Sequence, residues 1–274
     1  MTAKITRPLL LMGCGKMGSA MLDGWLSSDL AQGGIVIVDP TGVPQYQDHK
    51  NISIYNNASE VPADLNPQVI ILAVKPQQMD QALATYAKYV GPDTLFVSIA
   101  AGKTLHYFEN HLGSAAHIVR AMPNTPAAIG QGITVICPNA NVTDAQANLA
   151  MDLLRAVGDA ERVDDESMMD AVTALSGGGP AYVFYMIECL TEAGIKQGLS
   201  ADLAAKLALV TVAGAGQLAI TSDDDPSQLR KNVTSPAGTT LEAINILMQE
   251  DGGLSDLMTQ AIAAATARSK ELAE

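Results

Sequence analysis

The first part of the chain alternates short apolar runs with segments whose apolar residues recur at helical spacing. The run at 8–13 ends in glycine, and the segment after it places Met17, Met21 and Trp25 on one helical face. Further apolar runs lie at 34–40, 51–55, 69–74, 94–99, 117–122 and 133–138, and a strand-like run at 160–163 closes the series. Apolar strands that alternate with helices predict a mainly parallel sheet covered on both faces.

From Glu166 onward the strand patterns disappear and helical patterns dominate. Pro180 is well placed as the first residue of a helix that ends at Gly198, Ser200 is placed to cap the next helix, and residues 255–273 predict a final one. We therefore predict two domains, an α/β domain at 1–163 and an all-α domain at 164–274.

Composition and charge restrict the classes of partner. The 274 residues carry 16 Lys plus Arg against 29 Asp plus Glu, a net charge of −13, which argues against nucleic acid or an anionic membrane. Cys14, Cys137 and Cys189 are too few and too scattered for a disulfide framework or a metal cluster, and no signal peptide precedes the first strand, so we expect a cytoplasmic protein. The longest apolar run, 207–220, contains a glutamine and predicts a buried helix.

Three glycines follow the first predicted strand in the spacing GxGxxG. In the dinucleotide-binding fingerprint Gly13 would permit the tight turn, Gly15 would let backbone amides approach a pyrophosphate, and Gly18 would let the helix pack on the strand. A glycine-rich turn without a ligand is the alternative. The cofactor contacts predicted here are Gly13, Cys14, Gly15, Lys16, Met17 and Gly18, with Cys14 as a small spacer rather than a reactive thiol.

Asp39 ends the second predicted strand, about twenty residues after Gly18. An acidic residue at this position accepts hydrogen bonds from the adenine ribose and repels a 2′-phosphate, which favours NAD(H). The alternative is a turn-forming aspartate before Pro40.

Residues 232–246 form a loop of small and hydroxylated residues that leads into a helical pattern. Thr239 and Glu242 have capping-box spacing, which predicts Thr239 at the N-cap and Thr240 as the first helical residue with its hydroxyl free for a ligand. Free amides and the helix dipole at such a start suit a carboxylate or a phosphate. An ordinary capped turn is the alternative.

Several segments together resemble one enzyme family. The stretch NVTSPAGTT at 232–240, with DPSQLRK before it, resembles the signature near the C-terminus of pyrroline-5-carboxylate reductases. The segments AVKPQ, SIAAG and MPNTPA at 73–77, 98–102 and 122–127 also resemble motifs of that family, in the family's order. The chain departs from the usual patterns, SPGGTT or SPGGAT and SGSGPAY, because Ala237 stands for a glycine and Gly178 for a serine.

The resemblance implies an NADPH- or NADH-dependent reduction of 1-pyrroline-5-carboxylate to L-proline, more often with NADPH in the family. It implies a Rossmann-type doubly wound sheet followed by a helical substrate-binding and dimerisation domain, assembled as a homo-dimer or a ring of dimers. Further cofactor contacts implied are Asn57, Ala73, Val74, Lys75, Pro76, Ala100 and Asn124. Substrate contacts implied are Ser235, Gly238, Thr239 and Thr240, with Thr240 and Ser235 catalytic and no metal.

Two other functions are compatible with a dinucleotide fold. The β-hydroxyacid dehydrogenases carry a catalytic lysine on a helix after a glycine-rich segment, but residues 177–188 offer none and the next is Lys196. Reduction of a ketone needs a proton source such as Lys, His or Tyr, and Tyr182 and Tyr185 are the candidates here. A cyclic imine is basic enough to be protonated near neutral pH, so it needs a hydrogen-bond donor more than a strong acid. The second alternative is an inactive NAD(P)-sensing protein, favoured only by the changes at Gly178 and Ala237.

Overall fold

The computed structural model describes residues 5–28 and 30–273, and its strands form one eight-stranded sheet. The strands are β1 (Leu9–Met12), β2 (Ile35–Val38), β3 (Ile52–Tyr55), β4 (Val69–Leu72), β5 (Leu95–Ser98), β6 (His117–Met122), β7 (Gly132–Pro138) and β8 (Gly158–Arg162). Their order across the sheet is β3-β2-β1-β4-β5-β6-β7-β8. Every pair is parallel except β6 with β7, so the predicted mainly parallel sheet is confirmed.

The direction of strand addition reverses between β1 and β4. Leu9 of β1 is in register with Ile35 of β2 on one side and with Val69 of β4 on the other. The carboxyl ends of these three strands therefore lie side by side. In doubly wound sheets the ligand crevice lies at such a switch point, so this edge is where a cofactor is expected.

Ten α-helices are described, and they separate into two groups along the chain. The first group is α1 (Lys16–Ser28), α2 (Met79–Tyr86), α3 (Leu105–Leu112), α4 (Asp144–Arg155) and α5 (Met169–Val172). The second group is α6 (Gly179–Lys196), α7 (Ala201–Thr221), α8 (Pro226–Asn232), α9 (Thr239–Leu247) and α10 (Leu254–Ala273). The predicted Rossmann-type sheet followed by an all-α region is confirmed.

The sheet is apolar on both faces because successive side chains of each strand enter different layers. Leu9 and Leu11 of β1 pack in one buried cluster with Trp25 of α1, whereas Leu10 packs in a second with Phe108 of α3. Each of these five side chains is at most 1% exposed. Burial on both faces explains why β1, β2 and β4 appear in the sequence as continuous apolar runs rather than as alternating ones.

The chain forms two compact units. The first comprises residues 5–177 together with 266–273, the end of α10, and the second comprises residues 178–265. The last turns of α10 belong to the first unit, where the hydroxyl of Ser269 donates to Oδ1 of Asp170 at 2.7 Å. The predicted boundary between a dinucleotide-binding domain at 1–163 and a substrate-binding domain at 164–274 concerns function, and it stays a prediction.

The helix α7 corrects one expectation. We predicted a buried helix at 207–220, but within α7 only Ala204 and Ala208 are buried in the single chain. Large side chains such as Leu218 and Ile220 are 55% and 77% exposed. The helix α7 is also long and apolar enough to cross a membrane. Core helices of soluble proteins meet the same criterion, so length and composition alone are weak evidence for a membrane span. Apolar spacing identified the helix, but it could not say what covers it.

Candidate active site

The glycine loop between β1 and α1 has the close contacts that the fingerprint requires. Gly13 has φ +80°, and a Cβ built on it would lie 2.9 Å from the carbonyl oxygen of Ala73. A Cβ at Gly18 would lie 2.6 Å from the carbonyl oxygen of Gly13, whereas a Cβ at Gly15 would meet nothing within 4 Å. Gly13 and Gly18 are therefore required by backbone packing. Gly15 leaves open space above an exposed turn, which suits the approach of a pyrophosphate.

Asp39 is a buried anchor for this loop. Its side chain is at the end of β2 and the residue is 8% exposed. Oδ2 accepts the N–H of Cys14 at 2.7 Å, and Oδ1 accepts the N–H and the hydroxyl of Thr41 at 2.8 and 2.6 Å. Burial opposes ionisation, but these hydrogen bonds together hold the pKa of Asp39 below its usual value.

The contacts with Thr41 match the alternative in which Asp39 forms a turn. The bond to Cys14 joins the loop after β1 to the end of β2. The sequence did not predict this bond, because no local pattern indicates a contact between residues 25 positions apart. The role of Asp39 toward a ribose stays a prediction.

Cys14 has the character of a spacer. It is 6% exposed, and its Sγ lies 3.5 Å from the hydroxyl of Ser19. Burial raises the pKa of the thiol, which keeps it protonated and disfavours reactivity. The hydroxyl of Ser19 donates to the carbonyl oxygen of Cys14 at 3.0 Å and so ties α1 to the loop.

The topology brings the other predicted cofactor positions to the same edge of the sheet. Ala73, Val74, Lys75 and Pro76 follow β4, and Lys75 is exposed. Ala100 follows the neighbouring β5, is 6% exposed and donates its N–H to the hydroxyl of Ser98 at 3.2 Å.

Asn124 follows β6 and braces the connection to β7. Its side-chain oxygen accepts the N–H of Ile133 at 3.0 Å. The part of Asn124 in cofactor binding stays a prediction.

A pocket of about 450 Å³ lies beside β3 and the residues that follow β2 and β3. Glu60 lines it and accepts the N–H of Asn56 at 3.2 Å and the side-chain amide of Asn57 at 3.1 Å. The bond from Asn57 is the main cause of the lowered pKa of Glu60, which keeps it ionised. Sequence reasoning identified Asn57 but missed Glu60. No lysine or arginine is among the described residues that line this pocket.

The loop before α9 contains a tight turn. The N–H of Gly238 donates to the carbonyl oxygen of Ser235 at 3.1 Å. Pro236 and Ala237 are the central residues, and Ala237 has φ 56°. Because proline fixes the first central residue at negative φ, a positive φ at the second defines a type II turn.

The predicted capping box at Thr239 is wrong. The helix α9 begins at Thr239, and Gly238, with φ −85° and ψ 164°, takes the N-cap position without a side-chain hydrogen bond. The turn from Ser235 to Gly238 explains why glycine, rather than Thr239, takes this position. A Cβ at Gly238 would lie 2.5 Å from the hydroxyl oxygen of Ser235, so a residue without a side chain stands where the helix begins.

The start of α9 leaves two backbone N–H groups and two side-chain hydroxyls without a hydrogen-bond partner among the described residues. The N–H of Leu241 turns back to the carbonyl oxygen of Gly238 at 3.1 Å, but the N–H groups and the hydroxyls of Thr239 and Thr240 have no partner within the described chain. Both threonines are exposed. The dipole of α9 adds positive potential here, so the loop offers donors suited to a carboxylate.

Comparison with known proteins assigns the chain to one family. Residues 166–272 match the family model described as pyrroline-5-carboxylate reductase dimerisation, and residues 9–102 match that of coenzyme F420-dependent NADP oxidoreductases. A pyrroline-5-carboxylate reductase of Pseudomonas aeruginosa is 40% identical over 269 residues, which cover 98% of each chain. The chain belongs to the pyrroline-5-carboxylate reductase family.

Solved structures agree with this assignment. The pyrroline-5-carboxylate reductase of Coxiella burnetii has a TM-score of 0.89 at 34% identity and covers 98% of this chain and 99% of its own. The Plasmodium falciparum pyrroline carboxylate reductase, solved with NADP bound, has a TM-score of 0.81 at 30% identity, with 99% and 100% coverage. Members of the pyrroline-5-carboxylate reductase family thus share the fold of this chain over nearly its full length.

Proposed function

We propose that this protein reduces 1-pyrroline-5-carboxylate to L-proline with NAD(P)H. The observation that carries the proposal is the 40% identity to a pyrroline-5-carboxylate reductase over 98% of both chains. The glycine loop supports it independently, because Gly13 and Gly18 permit its close packing and Gly15 leaves room for a pyrophosphate.

The cofactor residues are proposed on the first unit. The exposed backbone at Gly15, Lys16 and the start of α1 would receive the pyrophosphate, with the helix dipole behind it. Lys75 is exposed next to β4, where a cation could pair with a coenzyme phosphate. Bound NAD(P)H supplies the hydride that reaches the imine carbon.

The substrate residues are proposed on the loop before α9. The free N–H groups of Thr239 and Thr240 would hold the carboxylate of the imine, with Ser235 and Gly238 shaping the loop. The imine would enter with its nitrogen protonated by solvent. As its carbon accepts the hydride, the π electrons of the C=N bond would become a lone pair on nitrogen, and the Thr240 hydroxyl would donate to that lone pair. A hydroxyl suffices because the imine nitrogen is basic enough to be protonated near neutral pH, so no strong acid is required.

The charges near the pocket beside β3 bear on the choice of coenzyme. In this class of fold the adenosine ribose lies at the carboxyl end of the second strand. There Asp39 and Glu60 supply two carboxylates, and the pocket residues described supply no cation. We therefore propose that both coenzymes are used and that repulsion of the 2′-phosphate favours NADH.

The match to a dimerisation model and the exposed apolar side chains of α7 support a homo-oligomer, a dimer or a ring of dimers. A second copy of the chain would cover the exposed apolar side chains of α7, so these side chains do not require a membrane. We propose a cytoplasmic location on this ground and on the close similarity to bacterial members of the family.

The proposal is tested by following the absorbance of NADH and of NADPH with pyrroline-5-carboxylate, linear 2-keto acids and 3-hydroxy acids as substrates. We expect turnover with the cyclic imine only. Comparable turnover of a hydroxy acid would favour the β-hydroxyacid dehydrogenase alternative. Tight coenzyme binding without turnover of any substrate would favour the NAD(P)-sensing alternative.

A further inference from the structure

Ala237 has an unusual backbone conformation for an alanine. Among the described residues it is the one non-glycine residue with positive φ, at 56°, whereas glycine occupies the other such positions. A Cβ in this region crowds the neighbouring carbonyl oxygen, which is why glycine and, less often, asparagine are found there. The turn from Ser235 to Gly238 is therefore strained at its second central residue.

The turn has an unstrained alternative close by. A type I turn has the same hydrogen bond between its first and fourth residues and also accepts proline at the first central position. Rotation of the peptide between Pro236 and Ala237 would convert one into the other and bring Ala237 to negative φ. Ser235, Pro236 and Ala237 are all exposed, so no buried side chain of these residues opposes the rotation.

The segment before the turn is held more firmly. The hydroxyl of Thr234 donates to the carbonyl oxygen of Arg230 at 2.7 Å, and the N–H of Thr234 donates to that of Lys231 at 3.1 Å. These bonds tie Thr234 to the end of α8, and α9 begins at Thr239. The rotation would therefore be confined to the turn, where it would reverse the Ala237 N–H and the Pro236 carbonyl next to the free amides of Thr239 and Thr240.

We infer that Ala237 is a positioning residue that lowers the affinity of the loop for the imine carboxylate, because it disfavours the type II turn that the structure shows. This inference rests on the proposed function. The type II turn is the binding-competent state, and alanine reduces its population in the free protein. A ligand that binds only one of two states has an apparent affinity reduced by the populated fraction of that state.

The test compares Ala237→Gly and Ala237→Asn with the wild type under saturating coenzyme. Glycine favours positive φ and asparagine tolerates it, so KM for pyrroline-5-carboxylate should fall by about five- to tenfold in Ala237→Gly and by a smaller factor in Ala237→Asn. The kcat should stay unchanged, since the Thr240 hydroxyl is untouched. The melting temperature of Ala237→Gly should rise by about 1–3 °C, because relief of strain exceeds the chain entropy that glycine adds to the unfolded state.

Gly252→Ala is the matched control. Gly252 has φ +74°, and a Cβ added to it would meet no atom within 4 Å, so alanine there introduces the same strain away from the turn. Its melting temperature should fall while KM stays at the wild-type value. An unchanged or higher KM in Ala237→Gly would overturn the inference, whatever the melting temperature does. Failure of the proposed function is separate, because it would appear as a wild type that does not turn over pyrroline-5-carboxylate.

Discussion

The glycine loop and the loop before α9 both lead into a helix N-terminus, but they are supported in opposite ways. Gly13 has φ +80° in a buried loop, and the Asp39 carboxylate holds the next amide at 2.7 Å. Ala237 has φ 56° in an exposed turn whose only internal bond is that between Gly238 and Ser235. A loop enclosed by the sheet accepts only glycine at positive φ, whereas an exposed turn tolerates alanine at the cost of strain. The difference shows that positive φ disfavours alanine in both loops, and that enclosure adds an overlap with neighbouring backbone that excludes it from the first.

The largest expected effect comes from placing alanine in the enclosed loop. Gly13→Ala should destabilise the protein by about 2–4 kcal/mol, since it adds left-handed strain to an overlap with the backbone of Ala73. Gly15→Ala is the matched variant because its Cβ meets no atom within 4 Å. Its stability should stay within about 0.5 kcal/mol of the wild type, while coenzyme affinity falls. Denaturant unfolding and coenzyme titration measure both, and equal stability of the two variants would contradict the comparison.

The next effect concerns the threonines of the exposed loop. Thr240→Val retains the side-chain shape but removes the hydroxyl, so kcat should fall by roughly ten- to a hundredfold, at about 1.4 kcal/mol per factor of ten. Thr239→Val removes the neighbouring hydroxyl, which is equally free, and should leave kcat near that of the wild type. Coenzyme affinity should be unchanged in both. If Thr239→Val loses the rate and Thr240→Val does not, the catalytic role belongs to Thr239.

Asp39→Asn separates the anchor role of this carboxylate from its charge. Loss of the charge-assisted bond to Cys14 should cost about 1–2 kcal/mol of stability at pH 7. Because the folded-state pKa is depressed, the wild-type advantage is present above the unfolded pKa of about 3.9 and is lost as pH falls through the folded-state value. Unfolding curves of both proteins between neutral and acidic pH measure this. A difference in stability that does not shrink in acid would mean that the charge of Asp39 contributes nothing.

Glu60→Gln is paired with Asp39→Asn to test how the two carboxylates affect the choice between NADPH and NADH. It removes the second carboxylate from an exposed position, so the melting temperature should not change. Both variants should raise the ratio of kcat/KM for NADPH to that for NADH, since a repulsion of the 2′-phosphate is removed. Unchanged ratios in both would mean that the ribose does not lie at this end of β2.

The smallest effect tests the corrected helix start. Thr143 caps α4 in a complete capping box with Gln146, so Thr143→Ala should cost about 1 kcal/mol. Thr239→Ala should cost less than about 0.5 kcal/mol, because Gly238 occupies the N-cap and the Thr239 hydroxyl bonds no backbone group in the described chain. Melting temperatures measure the pair. An equal loss of stability in Thr239→Ala and Thr143→Ala would contradict this assignment and would support Thr239 as the N-cap of α9.

The sequence alone determined the order of the strands and helices and located the two loops that lead into helix N-termini. Apolar runs located seven strands, and the strand-like run at 160–163 located β8. β1, β2 and β4 are continuously apolar because they are buried throughout, whereas β3 and β8 are partly exposed. Glycine spacing located the loop before α1, since the close packing of Gly18 on Gly13 joins residues near one another in sequence. The motifs after β4, β5 and β6 were brought to one edge, as parallel topology requires.

Only the tertiary structure decided the features that depend on distant neighbours. The bond from Cys14 to Asp39, the burial of Asp39 and the position of Glu60 join segments that are separate in the chain. The start of α9 was misjudged because Thr239 and Gly238 are both good N-cap residues, and the choice was made by the turn that precedes them. The exposure of α7 was missed for a similar reason. Periodicity shows that a helix has an apolar face, but the partner that covers this face lies outside the helix.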